Sequence, residues 1–98
     1  TGHRPTAARE TRPPEYRATI NAALREFDAG RFAEARALFQ QAHTLYPTAR
    51  SLRGIGLCSF ELSDYAAAIV ALDEALASDV HPLDDRMRAH ALQILDHR

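Results

Sequence analysis

The stretch Gly30-Arg31-Phe32-Ala33-Glu34-Ala35-Arg36-Ala37-Leu38-Phe39 decides how the chain folds. A glycine opens it, an aromatic follows two residues later, an alanine three after that, and a large apolar residue four further on. The same order returns as Ser63-Asp64-Tyr65-Ala66-Ala67-Ala68-Ile69-Val70-Ala71-Leu72, 33 residues downstream. A tight turn followed by a helix with small and large residues on one stripe satisfies both copies.

Working outward, Pro14 suits the first turn of a helix, where its missing N–H costs nothing. Tyr16, Ile20, Leu24 and Phe27 then recur at helical spacing up to Gly30, a left-handed C-terminal residue. The second helix carries Phe32, Ala35, Leu38, Phe39, Ala42 and Leu45 inward, and Pro47 ends it. Thr48 is the expected N-cap of a third helix bearing Leu52, Ile55, Phe60 and Leu62. Gly54 and Gly56 lie inside that helix, each at a cost of about 1 kcal/mol relative to alanine, so close packing is expected in return. Asp64 caps a fourth helix with Tyr65, Ala68, Ile69, Leu72, Ala75 and Leu76 inward. His81-Pro82 breaks the chain. Asp84 caps a fifth helix, pairs with Arg88, and precedes inward Met87, Ala91, Ile94 and Leu95. No segment has the alternation of a strand, so the expected class is all-α.

Composition bounds the rest. The chain has 98 residues, 46% hydrophobic and 26% charged, with a formal net charge of -1. That length supports one small domain, and such a chain buries only about 60–68% of its unfolded surface. The charge balance gives no drive toward nucleic acid or an anionic membrane. No apolar run approaches the roughly 20 residues that cross a bilayer, so direct membrane insertion is not expected. Residues 1–14 hold three of the five prolines without apolar periodicity and read as a flexible tail or linker, leaving a domain over 15–98. The chain opens on Thr1 and stops after Arg98, which reads as a segment of a longer protein. No residue pattern fixes a compartment: cytoplasmic is the default, periplasmic or envelope-associated the alternative.

Two helices per unit at a period near 34 is the signature of the tetratricopeptide repeat, and the sequence resembles that family over about residues 16–82. Leu52, Ile55-Gly56 and Ser59 stand at the first-helix signature of the second unit, followed in register by Ala68, Leu72 and Ala75. Thr19, Ala22-Ala23 and Glu26 match the first unit weakly, whereas Gly30, Phe32, Ala35, Phe39, Ala42 and Pro47 match it well. The resemblance implies a short, right-handed α-solenoid: repeat one over 16–48, repeat two over 49–82, and a capping helix over 83–97, where Arg86, Ala89 and His90 break the motif. Ala23, Gly56, Ala35 and Ala68 are the small residues that let paired helices approach, with Phe39, Leu72, Leu24 and Leu57 filling the seams. A looser similarity, through Pro82-Leu83-Asp84-Asp85-Arg86-Met87-Arg88, is to tetratricopeptide segments of large envelope-associated proteins of myxobacteria and related bacteria.

The resemblance also implies a function: protein–protein interaction without catalysis, through a concave groove lined by the first helix of each pair. Mapped residue by residue, the groove takes Arg17, Ile20, Asn21, Leu24 and Phe27 from the first unit. The second contributes Arg50, Arg53, Leu57 and Phe60, and the cap adds Met87, Arg88, Ala91 and Ile94. The expected partner is an amphipathic helix, or a peptide bearing an acidic residue or free carboxylate. The two-carboxylate clamp of chaperone-binding members is missing, because Ile20, Leu24, Arg53 and Leu57 occupy its places. The alternative is a structural module that pairs with a second copy, as a homodimer, or docks a neighbouring domain.

Other chemistries find no support. Gly54-Ile55-Gly56-Leu57-Cys58-Ser59 imitates a dinucleotide fingerprint, but its third glycine is missing and no strand precedes it. No two of the histidines are three or four residues apart, so no ready metal pair exists. Cys58 has no histidine nearby in sequence and reads as a small buried hydrophobe. No catalytic residue, metal or cofactor is expected.

Overall fold

The computed structural model describes residues 13–78 and 85–96. Those residues form five helices and no strand: α1 (Pro14–Asp28), α2 (Phe32–Leu45), α3 (Ala49–Glu61), α4 (Tyr65–Ala77) and α5 (Asp85–Leu95). The 1–12 portion of the expected tail, the break at His81-Pro82, and the roles given to Asp84 lie outside the described residues.

Local chemistry sets each boundary. Pro14 starts α1. Thr48 caps α3 through its side chain, accepting from the Ser51 amide at 3.0 Å, while the Thr48 amide donates to the Ser51 hydroxyl at 3.2 Å. That reciprocal pair is a capping box with serine in the place usually taken by glutamate. Asp64 caps α4 by accepting from the Ala67 amide.

The two unit turns share one backbone solution. After α1, the Gly30 amide donates to the Phe27 carbonyl and the Arg31 amide to the Glu26 carbonyl, both at 2.9 Å. After α3, the Ser63 amide donates to Phe60 at 3.0 Å and the Asp64 amide to Ser59 at 2.8 Å, again 33 residues on. Both are Schellman motifs with a left-handed residue at the turn, φ 80° at Gly30 and 63° at Ser63. An aromatic pair braces each: Phe27 on Phe32 with ring centroids 5.1 Å apart, and Phe60 on Tyr65 at 5.7 Å. The sequence period is therefore a structural period.

Short loops make neighbouring helices antiparallel. α1 packs on α2, α2 on α3 and α3 on α4, with α5 more sparsely against α4, an arrangement consistent with a helical repeat. Tyr16 at the start of α1 is 1% exposed, stacks edge-on against Tyr46 and hydrogen-bonds Thr48 at 2.8 Å. Arg36 of α2 donates to the Ser59 hydroxyl at 3.1 Å and to Asp64 at 3.0 Å, tying the second hairpin to the first.

The core is built from small residues. Ala23, Ala35 and Ala68 are buried as expected, and so are Gly54 and Gly56. α3 departs from the expected pattern: its buried residues are Ala49, Ser51, Gly54, Gly56, Cys58 and Ser59, while Leu52, Ile55 and Phe60 are only partly buried and Leu62 is exposed. The reason is its position. α3 is pressed from one side by α2 and from the other by α4, and side chains without bulk permit both approaches. Phe39 and Leu72 do fill seams, over Gly54 and Gly56 respectively. Leu24 does not, being 47% exposed, and Leu45 and Tyr65 also reach solvent where an inward face was expected.

Candidate functional site

The first helices of each pair, α1 and α3, face α5 across an open cleft of about 360 Å³. The 33-residue period orders its walls. Ile20 of α1 corresponds to Arg53 of α3 and Arg86 of α5; Leu24 corresponds to Leu57 and His90; Phe27 corresponds to Phe60. Ala91 of α5 repeats Cys58 of α3, and both are fully buried, whereas Ala89, which repeats the buried Gly56, is exposed.

Ile20, Leu24, Arg50, Arg53, Leu57 and Met87 all line this cleft, together with Phe27, Phe60 and Ile94. Arg17 and Asn21, named with them from the sequence, are exposed on α1 outside that lining. Arg88 turns away, its guanidinium donating to the Leu76 carbonyl of α4 at 3.2 Å, and Ala91 is buried in the core with Leu72. The cleft also recruits Phe39, Gly54, Glu61 and His90, which the sequence reading did not place there. Phe39 belongs to α2, yet it reaches the floor because Gly54 puts no side chain in front of its ring. His90 was findable: it lies one period beyond Leu57.

Four charged or ionisable side chains, Arg50, Arg53, Glu61 and His90, belong to the lining. Arg53 Nη2 lies 3.2 Å from His90 Nδ1, so the guanidinium donates to the imidazole and ties α3 to α5. A further recess lined by Arg53, Arg86, Met87 and His90 opens beside this contact and shares three of those residues with the main cleft. Glu61 stands at the far end of α3, eight residues from Arg53, or about 12 Å along the helix axis.

A second, apolar cavity of about 460 Å³ lies between α4 and α5, walled by Phe60, Tyr65, Ala68, Ile69, Leu72, Ile94 and Leu95. On the opposite side of α3, Cys58 is buried, and desolvation pushes its thiol up to about 11, with Arg36 opposing and Glu61 adding to the rise. A thiol so raised is protonated and weakly nucleophilic near neutral pH. Among the described residues no three or more His, Cys, Asp or Glu are grouped to hold a metal ion. No helix among them is long and apolar enough to cross a membrane. No family model, curated protein or solved structure matches the chain.

Proposed function

We propose that this chain is a non-catalytic protein-interaction module, built from two tetratricopeptide-type units and a capping helix, that seats an apolar peptide segment or amphipathic helix in the α1–α3–α5 cleft. One observation carries the reading: corresponding positions of successive units converge on a single cleft whose lining is mostly aromatic and aliphatic, with Arg50, Arg53, Glu61 and His90 as its charged or ionisable members. Aromatic and aliphatic walls with few, localised charges are what a peptide-binding groove requires.

Display selection of random 16-residue peptides on the folded protein tests this directly. Peptides enriched in large apolar residues are expected, and Leu57→Asp should weaken the selected peptides at least tenfold. Unchanged affinity in Leu57→Asp would place binding elsewhere and defeat the reading.

A second reading, self-association or docking of a neighbouring domain, draws on a different face. Val70 is 60% exposed on α4 and Leu92 48% exposed on α5. Sedimentation velocity across a hundredfold concentration range checks the self-association arm; a monomer at every concentration removes it.

A further inference from the structure

Comparing the cleft unit by unit shows that it is not uniform along its length. At one periodic position the residues run Ile20, Arg53, Arg86, and at another Leu24, Leu57, His90. At these two positions the α1 end is apolar and the α5 end carries Arg86 and His90, with α3 as the junction. Arg50 adds a further cation in the first turn of α3, on the same edge. The recess beside Arg53 is about 380 Å³, and no acid is among the described residues that wall it. Asp85 precedes Arg86 by one residue and so points to another side of α5. Glu61, the acid that does reach the main cleft, stands at the opposite end of α3.

Resting on the peptide-binding reading, we propose that the recess between Arg53, Arg86 and His90 is an anion subsite, and that the partner is an acidic peptide bound in one direction. Its apolar side chains lie over Ile20 and Leu57, and its Asp or Glu carboxylates lie at the α5 end. Arg86 can offer a planar fork of N–H donors to a carboxylate, and Arg53, with its Nε buried and its Nη2 donating to His90, adds its fixed positive charge beside it. The Arg53–His90 contact holds one fork in place before the partner arrives, which reduces the ordering cost of binding. Arg86 sits in the first turn of α5, so the positive end of that helix dipole lies beside the recess. Direction follows from the asymmetry: reversed, the peptide would set carboxylates on Ile20 and Leu24 and leave the arginines facing apolar side chains.

The same random 16-residue display library decides the matter, run in parallel on the unaltered protein and on Arg86→Glu. Arg86 is exposed and outside the core clusters, so its reversal leaves folding intact, as circular dichroism will verify. The expected result is enrichment of Asp and Glu at a fixed spacing from an apolar pair on the unaltered protein, and loss of that enrichment on Arg86→Glu. A synthetic consensus peptide should bind Arg86→Glu and Arg53→Glu at least tenfold more weakly. It should also weaken several-fold between 0.05 and 0.5 M salt, because the subsite is open to screening. Apolar peptides enriched without an acidic preference, or with the same preference on Arg86→Glu, would overturn the anion subsite and leave the peptide groove standing. No enriched motif on either protein would overturn both.

Discussion

Replacing Gly54 with alanine separates two opposed effects, and the structure says which wins. In an isolated helix the change is favourable by about 1 kcal/mol, since glycine is a poor helix former. Here an added Cβ would fall 2.4 Å from Phe39 Cδ1, 2.5 Å from Cε1 and 2.6 Å from Cγ, well inside contact distance. The ring cannot step aside, because Phe39 is only 4% exposed and packs with Tyr16, Ile20 and Ala35. Overpacking of this kind costs about 1–3 kcal/mol, and a broad ring face met at three atoms belongs at the upper end. Gly54→Ala should therefore destabilise by about 1–2 kcal/mol net, lowering the melting temperature by about 5–15 °C in a domain of this size. Urea and thermal denaturation followed by circular dichroism measure both quantities. Phe39→Leu supplies the second arm of a double-mutant cycle: with the ring gone, the Gly54→Ala penalty should shrink by about 1 kcal/mol or more. A melting temperature that rises in Gly54→Ala, as bare helix propensity demands, would refute the close approach of α2 and α3 and with it the packing described above.

Three further outcomes follow from individual contacts. Ser63 holds a left-handed φ of 63° at the position where the first unit uses glycine, so Ser63→Gly should stabilise by about 0.5–1 kcal/mol and Gly30→Ser destabilise by a similar amount; equal melting temperatures would contradict the shared turn geometry. Thr48 caps α3 and binds the buried Tyr16 hydroxyl, so Thr48→Ala should cost about 2–3 kcal/mol and Tyr16→Phe about 1 kcal/mol in chemical denaturation. Cys58 is buried with its thiol raised to about 11 from 9.0. Iodoacetamide should leave the native protein unmodified at pH 8 and label it only at the rate of unfolding. Because the native state holds this proton more tightly than the unfolded chain, the contribution to stability is whole below pH 9 and is lost as pH rises through about 11. Cys58→Ala should flatten that alkaline decline.

The helices and their ends were legible because they depend on local chemistry. Pro14, Gly30, Thr48 and Asp64 each solve a backbone hydrogen-bonding problem within a few residues, and the period of 33 shows that the same problem is solved twice. The face that α3 buries was not legible, because burial there is decided by neighbours on both sides. Hydropathy ranks Leu52 and Phe60 above Ser51 and Ser59, whereas the space between α2 and α4 ranks them the other way. Ser51 and Ser59 are admitted because each has a partner: Ser51 meets His43 at 2.7 Å, and Ser59 meets Arg36 at 3.1 Å. A buried hydroxyl with a partner costs little, and one without a partner costs a great deal.

The cleft shows the same division between local and distant causes. Ile20, Leu57 and Met87 could be named because the tetratricopeptide resemblance assigns their positions to a groove. Phe39 could not, because its presence on the floor depends on what Gly54 lacks rather than on any property of its own helix. His90 could have been found only by carrying the period past the second unit, into α5, where the motif residues are gone. A repeat that keeps its spacing while changing its side chains from Ile20 to Arg53 to Arg86 is free to vary chemistry along a groove without altering the scaffold beneath it. The small residues against α2 and α4 hold the helices at a fixed distance, whereas Arg86 on α5 stands exposed and outside the core clusters. A substitution at such an exposed position can therefore change the surface chemistry at little cost in stability. Arg86→Glu, exposed and remote from the core clusters, should accordingly alter peptide preference while shifting the melting temperature by no more than about 0.5 kcal/mol would.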